Sequence, residues 1–495
     1  MNLLNIYIFL AEIVFTSIGV DLTFDGPLVS ENSAPNPFIQ YELFIEFEHP
    51  ETENSLTVPG YFAADGNSAE TGAILGNKWR CHFRVPSYGT GTWKYTLLFK
   101  NGGIFDPILN GQNGTFFMGN TDLIGKLIYN GDRHLIFEGS KVRYYKNAVG
   151  SSENALSYAD FDGVQNFTPT YLHTYIPHIQ DCPTDAPLWR TNKGRGLLGV
   201  IQYFASQAMT EVYWTLYNED GGDGGGVAPW TVPNEHLRFD VSKLDQWRRI
   251  FKFTNSRKII LHLFLMETEN ETVLSDVELR IYIKEMMARF GDLDILVNGG
   301  EELNDTSNSD LRQISDWVAE YSPYGTPFGL HTGYNDEDEF DGVLGHINIH
   351  YISYQGDGTT YDSSTAEIIQ ESEGVGHPWA VFGDEQGPAV DDSMNNVNLM
   401  ISFWDRNINN GGSGCSWYFG YQGCCFGDLQ MENYRLAEQL FQLTSQHRLA
   451  YIRSNHGNIE SVILDISDPA GIYDINDDRQ IDIADKILEI QLNQN

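Results

Sequence analysis

The chain is poor in positive charge. Its 495 residues carry 30 Lys and Arg against 68 Asp and Glu, a net charge of −38. That balance argues against nucleic acid and against anionic membrane surfaces as partners, since both are polyanions. Cysteine is scarce too: Cys81, Cys182, Cys415, Cys424 and Cys425. An odd count cannot pair fully within one chain, and any disulfide is expected to involve Cys415, Cys424 or Cys425. No CxxC pair repeats at zinc-finger spacing, which speaks against a structural zinc site. Beyond residues 3–19, no run reaches the ~18 apolar residues of a membrane span. The Gly-rich stretch "NEDGGDGGGVAPW" (218–230) lacks the GxxxxGK(S/T) of a phosphate cradle and reads as a flexible loop.

What is present points outward from the cell. "LLNIYIFLAEIVFTSIG" (3–19) reads as the core of a secretory leader over residues 1–19, so the mature protein is expected to be exported. Aromatics make up 13 % of the chain, with 26 Tyr, 28 Phe and 10 Trp. Such a content fits aromatic-rich β-structure or rings that stack on sugars. Asn113, Asn166, Asn270 and Asn304 head N-x-S/T sequons.

Two textures divide the chain. Residues 22–120 alternate aromatic or aliphatic with polar residues, punctuated by Gly, Pro and Asn, as in "YELFIEFEHP" and "KWRCHFRVPSYGTGTWKYTLLFK". This predicts an immunoglobulin-like β-sandwich. Over 125–445, short apolar runs ending in Gly, Asn, Asp or Glu alternate with amphipathic segments such as 243–257. Eight such runs predict a (β/α)8 barrel. They are "VRYYKNAVGSS", "MTEVYWTLYN", "KIILHLFLMETEN", "LDILVNGGEELN", "PFGLHTGY", "GHINIHYISYQG", "WAVFGDEQGP" and "GCSWYFGYQ". Residues 446–470 read as one or two strands or a linker.

Barrel enzymes work at the C-terminal ends of their strands, and acids collect there. Strand four ends in Glu301 and Glu302, strand seven in Asp384 and Glu385, strand three in Glu267 and Glu269. Two carboxylates on opposite strand ends can flank a glycosidic bond, one protonating the leaving oxygen while the other attacks the anomeric carbon. Glu301, with Glu302 as the alternative, is the expected acid/base and Glu385 the expected nucleophile. Glu267 and Glu269 are rivals for either role or ligands for sugar hydroxyls. His331, Tyr354 and Trp417 suit a hydrogen-bond donor, a residue positioning the nucleophile and a stacking platform. No cofactor is expected for catalysis.

The motifs resemble a known family. "FDGP", "NPF", "VPGYFAADGN" and "GNKWRCHFRV" are similar to a sandwich domain of unknown function found in front of glycoside hydrolase barrels. "YADFDG", "KLDQW", "METEN", "GEEL", "DEQGP" and "WYFGYQ" resemble the barrel of the same bacterial family, so the likeness spans residues 22–445. That family is similar to the clan A retaining glycoside hydrolases. The resemblance implies an acid/base after strand four, a nucleophile ending strand seven and an aromatic ending strand eight, which fall on Glu301, Glu385 and Trp417. The clan commonly has Asn-Glu at strand four. Gly-Glu-Glu stands here, so Glu301 and Glu302 both remain open.

The tail, 471–495, resembles half of a type I dockerin or an EF-hand-like loop. Asp474, Asn476, Asp478, Gln480, Asp482 and Asp485 fall at ligand positions for calcium, with Arg479 where the loop normally has Gly. It implies a structural calcium ion and a segment for docking another protein. The reading as a whole is a secreted retaining glycosidase acting on a poly- or oligosaccharide. Polysaccharide lyase, inverting hydrolase and non-catalytic glycan-binding protein are the competing readings.

Overall fold

The computed structural model describes residues 11–464 apart from 17, 50, 53, 88, 120–121, 150–152, 168–171, 220–225, 304, 337, 357–360, 390–393 and 420–432. The calcium-loop residues Asp474, Asn476, Asp478, Gln480, Asp482 and Asp485 therefore lie outside the described residues, as do Cys424 and Cys425 and the first half of the expected leader. Cys81 and Cys182 are free thiols.

Alternating residues build two antiparallel sheets at the N-terminus. One runs β1 (Ala11–Phe15), β2 (Gly19–Ser30), β6 (Leu75–Arg84), β5 (Tyr61–Phe62). The other runs β4 (Asn54–Pro59), β3 (Tyr41–His49), β7 (Gly91–Asn101), β8 (Ile104–Phe105), with β9 (Asn113–Met118) also on β7. Along β3 the buried residues are Leu43, Ile45 and Phe47, every second position, as a half-buried strand requires. Phe47 stacks on Phe83 of the first sheet with centroids 4.1 Å apart. Two one-turn helices, α1 (Pro37–Gln40) and α2 (Ser68–Thr71), complete the unit. The segment read as a leader contributes β1, whose residues 11–15 pair with 24–20 of β2.

A small hairpin of β10 (Leu127–Ile128) and β11 (Ile136–Phe137) leads into a closed barrel of eight parallel strands. These are β12 (Lys146–Val149), β13 (Glu211–Thr215), β14 (Ile260–Phe264), β15 (Ile295–Asn298), β16 (Phe328–His331), β17 (Tyr351–Gln355), β18 (Ala380–Ala389) and β19 (Gly414–Phe419). Seven lie within the predicted runs, and β18 passes the end of its run by one residue, Ala389. The outer helices are α3 (Arg195–Ser206), α4 (Val241–Ser256), α5 (Asp276–Phe290), α6 (Asn308–Tyr321), α7 (Tyr361–Gly374), α8 (Met394–Asn409) and α9 (Glu438–Leu464). After β16 the helix is reduced to the single turn Asp341–Val343. Side-chain caps start α4, α5 and α6: Asp240, Ser275 and Ser307 each accept a backbone N–H of the first turn.

One expected element differs. Residues 446–464 are not strand or linker but the continuation of α9. Phe441, Ser445, Arg448 and Ile452 are buried at helical spacing, and Ser445 accepts a hydrogen bond from Asn147 Nδ2 of β12 at 2.8 Å.

The sandwich and barrel pack through charged groups. Arg84 of β6 pairs with Asp294 at 2.9 Å, and Glu31 accepts the Val241 N–H at 2.9 Å at the start of α4. Burial and the neighbouring Asp240 push the Glu31 carboxyl up to about 8, against the pull of Val241 N–H, Arg289 and Lys243. A carboxyl raised from its ordinary value of 4.5 stabilises the fold fully below that value, and the contribution is lost as pH rises through about 8. Glu31→Gln keeps the acceptor for Val241 and cannot ionise. The stability difference between wild type and Glu31→Gln should therefore shift in favour of the variant from pH 5 to pH 8.5, read as Tm by calorimetry. A difference independent of pH would refute a protonated Glu31.

Candidate active site

The loop after β15 places its acids by close packing. A Cβ on Gly300 would stand 2.5 Å from Leu303 Cδ2 and 3.1 Å from the Met266 carbonyl oxygen. One on Gly299 would meet Leu303 Cδ1 at 2.9 Å. The two glycines thus let the loop lie against the end of β14. There Glu301 N–H donates to Met266 O at 3.0 Å, and Thr268 Oγ1 donates to Glu301 O at 2.8 Å. Gly300→Ala should cost about 1–3 kcal/mol of stability. Displacing Glu301 by an ångström should lower kcat about 100-fold. Denaturant melts and steady-state rates on the same preparation check both, and unchanged kcat would show that the glycines do not position the acid.

Glu301 is 3 % exposed and sits at the centre of a carboxyl cluster. Burial alone would raise its carboxyl. Hydrogen bonds with Glu267 and Glu385, the neighbouring His331 ring and the Tyr213 hydroxyl outweigh burial and hold it below the usual range. A hydrogen bond between two carboxyls needs a proton on one of them, so the cluster shares a proton. Glu267, also buried, is anchored by its own N–H to Tyr217 O at 3.0 Å.

Glu385 reaches the same point through a distortion. Its φ is +50°, in the left-handed region that disfavours a side chain, and the β18–β19 register shifts between Gly383 and Gln386. A bulge of this kind re-aims side chains, so the consecutive residues Asp384 and Glu385 both reach inward. Gln355 Nε2 donates to Glu385 Oε2. Asp384 points deeper, to Lys146 Nζ at 2.5 Å. That lysine also pairs with Glu211 at 2.6 Å, and His262 Nδ1 lies 3.0 Å from the same carboxyl. Burial opposes charge on Asp384, but Lys146 outweighs it and holds the carboxyl far below its ordinary value. This network is fully buried beneath the carboxyl cluster.

His331, at the end of β16, is fully buried and lowered to about 4 by that burial, against the pull of Glu301 and Asp384. It is therefore neutral at ordinary pH. Its Nδ1 accepts the Glu302 N–H at 3.4 Å, which assigns the ring proton to Nε2. Glu302 has φ +42° and is half-buried. It lies near Glu339, a carboxyl raised to about 7 by burial and by Asp336, Glu302 and Glu271, against the Gly333 N–H.

The structure brings Glu301, Glu385, Glu267 and His331 together, with Glu302 one residue removed. Glu269 is outside the cluster, exposed in the turn Thr268–Asn270. Tyr354 is also outside: its hydroxyl donates to Ser364 Oγ of α7 at 3.1 Å, on the outer face of β17. The place expected for it beside Glu385 is taken by Gln355, one residue on and so on the opposite face. The side chain of Trp417 lies outside the described residues, although its backbone pairs with Val149 and Gln386. Tyr213 and Lys146 were not anticipated. Their signal was a polar side chain at an inward position of an otherwise apolar strand.

Comparison with known proteins agrees with this architecture. Residues 19–100 match a domain of unknown function, DUF5060. A solved protein from Bacteroides vulgatus ATCC 8482, assigned as a glycoside hydrolase, superposes with a TM-score of 0.58 at 15 % identity. The match covers 82 % of this chain and 71 % of that one. The chain shares its eight-stranded (β/α)8 barrel fold with that protein. A family 5 glycoside hydrolase from the same organism aligns at 12 % identity and TM-score 0.48, over 66 % of this chain and 71 % of that one. A family 5 mannosidase from Rhizomucor miehei aligns at 10 % and 0.46, over 67 % and 100 %. No curated protein matches the chain.

Proposed function

We propose that this protein hydrolyses a glycosidic bond of a poly- or oligosaccharide by double displacement, with retention of configuration. The observation that carries the reading is the hydrogen-bond contact between Glu301 and Glu385, from the ends of the fourth and seventh barrel strands. Carboxyls about 5–5.5 Å apart serve retention, whereas about 6.5–9.5 Å leaves room for the water of an inverting enzyme. Contact in the empty site favours the shorter spacing.

In this mechanism Glu385, held by Gln355, attacks the anomeric carbon. Glu301 protonates the leaving oxygen and then deprotonates the water that releases the sugar. The proton that the paired carboxyls share must reside on Glu301 when the leaving oxygen departs. Neutral His331 offers its Nε2–H to a sugar hydroxyl. Export through the N-terminal leader and calcium binding by residues 474–485 belong to the same reading of an extracellular enzyme.

The test is product analysis with purified protein on a panel of plant and algal polysaccharides, following anomeric configuration by NMR. Retained configuration supports the reading. Inverted product, or an unsaturated product absorbing in the ultraviolet, replaces it with an inverting hydrolase or a lyase. Binding without turnover makes the protein a glycan-binding module.

A further inference from the structure

The alternation that buries Leu43, Ile45 and Phe47 in the sandwich turns Glu42 and Phe44 to the opposite face of β3. The register sets Lys100 of β7 beside Glu42 and Leu98 beside Phe44, and Phe105 of β8 beside Lys100. Across from them runs one stripe of α5, Val277, Arg280, Ile281 and Lys284, at the i, i+3, i+4, i+7 spacing of a helix face. Sheet and helix line a groove of about 770 Å³, to which α6 adds Glu320 and Tyr321. Ligand pockets span about 300–1,000 Å³. None of the acids at the barrel mouth lines this groove. Its apolar surface is open to water: Phe105 is 54 % exposed, and Ile39 and Val277 are exposed as well.

The groove holds three cations against two acids, in a chain whose net charge is −38. Four of the five charges are paired. Lys100 Nζ donates to Glu42 Oε1 at 2.5 Å. Arg280 Nη2 donates to both carboxylate oxygens of Glu320 at 2.8 and 3.0 Å, and its Nε donates to the Tyr321 hydroxyl at 2.8 Å. Lys284 is the exception. Its Nζ lies over the Phe44 ring, 5.1 Å from the centroid, and among the described residues no carboxylate stands within 4.0 Å of it. Burial lowers its ammonium below the ordinary value and the cations Lys100 and Arg280 lower it further, against the pull of Glu42 and Glu285. An oxyanion placed there gains a charge-assisted hydrogen bond.

We propose that this groove binds an anionic sugar of a polysaccharide, with its carboxylate or sulfate on Lys284 and its apolar face against Phe105. That the occupant is a sugar rests on the glycosidase reading. An acidic peptide matches the charge but brings no flat apolar face to the exposed ring. The acidic chain as a whole repels polyanions, so the contact acts at short range. At about 0.15 M salt the Debye length of about 8 Å screens the distant charge and leaves the contact with Lys284 in place.

The experiment is calorimetry at that salt with the full chain, carrying Glu385→Gln to stop turnover. The probes are oligosaccharides of alginate and κ-carrageenan, with those of mannan and agarose as uncharged counterparts. Expected is binding of a charged probe that Lys284→Met weakens at least about 10-fold, the usual worth of a hydrogen bond to a charged group. Lys284→Met keeps a stem over Phe44, and Lys284→Arg, which restores the cation, should bind within a few-fold of the parent. Phe105→Ala should also weaken the charged probe, while affinity for the uncharged probes should not respond to Lys284→Met. Alginate alone binding assigns the anion as carboxylate, κ-carrageenan alone as sulfate, and either supports the site. No binding of a charged probe, or binding that survives Lys284→Met, overturns it. Polyglutamate bound through Lys284 where no sugar binds makes the groove a peptide site and overturns it too. Hydrolysis by the wild type without such binding leaves the glycosidase reading standing, and binding through Lys284 without hydrolysis of any polymer keeps the site and removes that reading.

Discussion

Glu385→Gln should lose turnover by about 10⁴-fold or more, the scale on which removal of a covalent nucleophile acts in other enzymes. Glu385 is the acid that the bulge in β18 aims at Glu301, and an amide cannot form the glycosyl ester. The change is nearly isosteric, and a side-chain oxygen remains to accept the hydrogen bond of Gln355. Stability should therefore move by no more than about 1 kcal/mol. Rates on the substrate found by the polysaccharide panel, with circular dichroism melts of both proteins, check the pair of statements. A folded variant with near wild-type kcat would end the assignment.

Glu301→Ala should lose about 10²–10⁴-fold on an ordinary glycoside, the usual worth of a general acid. An aryl glycoside whose phenolate leaves without a proton should recover most of the loss in the first step. The neighbour is the control. Glu302 contributes its backbone N–H, not its carboxylate, to His331, so Glu302→Ala leaves that contact in place and should stay within a few-fold of wild type. Leaving-group rescue in Glu302→Ala and not in Glu301→Ala would reverse the two roles.

Much of the fold was legible because each element announces itself locally. The eight barrel runs are short, apolar and closed by polar residues, and the caps Asp240, Ser275 and Ser307 stand directly before helical patterns. What could not be read was which way a strand faces. Tyr351, Ser353 and Gln355 share one side of β17, and Tyr354 has the other. Both sides are covered in a parallel barrel, one by the core and one by helices, so apolarity does not distinguish them. An aromatic therefore looked like the residue beside the nucleophile, where the structure has Gln355. The last helix was missed for a related reason. "HRLAYIRSNHGNIESVILDI" contains β-branched residues and a glycine, and only its packing against β12 and α8 makes Arg448 and Ile452 a helical face.

By itself the sequence determined the order of the units, the number of barrel strands and the strand ends at which acids collect. These follow from hydrophobic period and turn chemistry, which act within a few residues. The tertiary structure decided which acids meet. Glu301, Glu385 and Glu267 come from three strands far apart in the chain. Their convergence depends on barrel closure, on the bulge that turns Glu385 inward and on glycines that admit the loop against Met266. Glu269, two residues from Glu267, stays in solvent for the same reason: a single turn carries it past the rim, and no local pattern records where the rim lies.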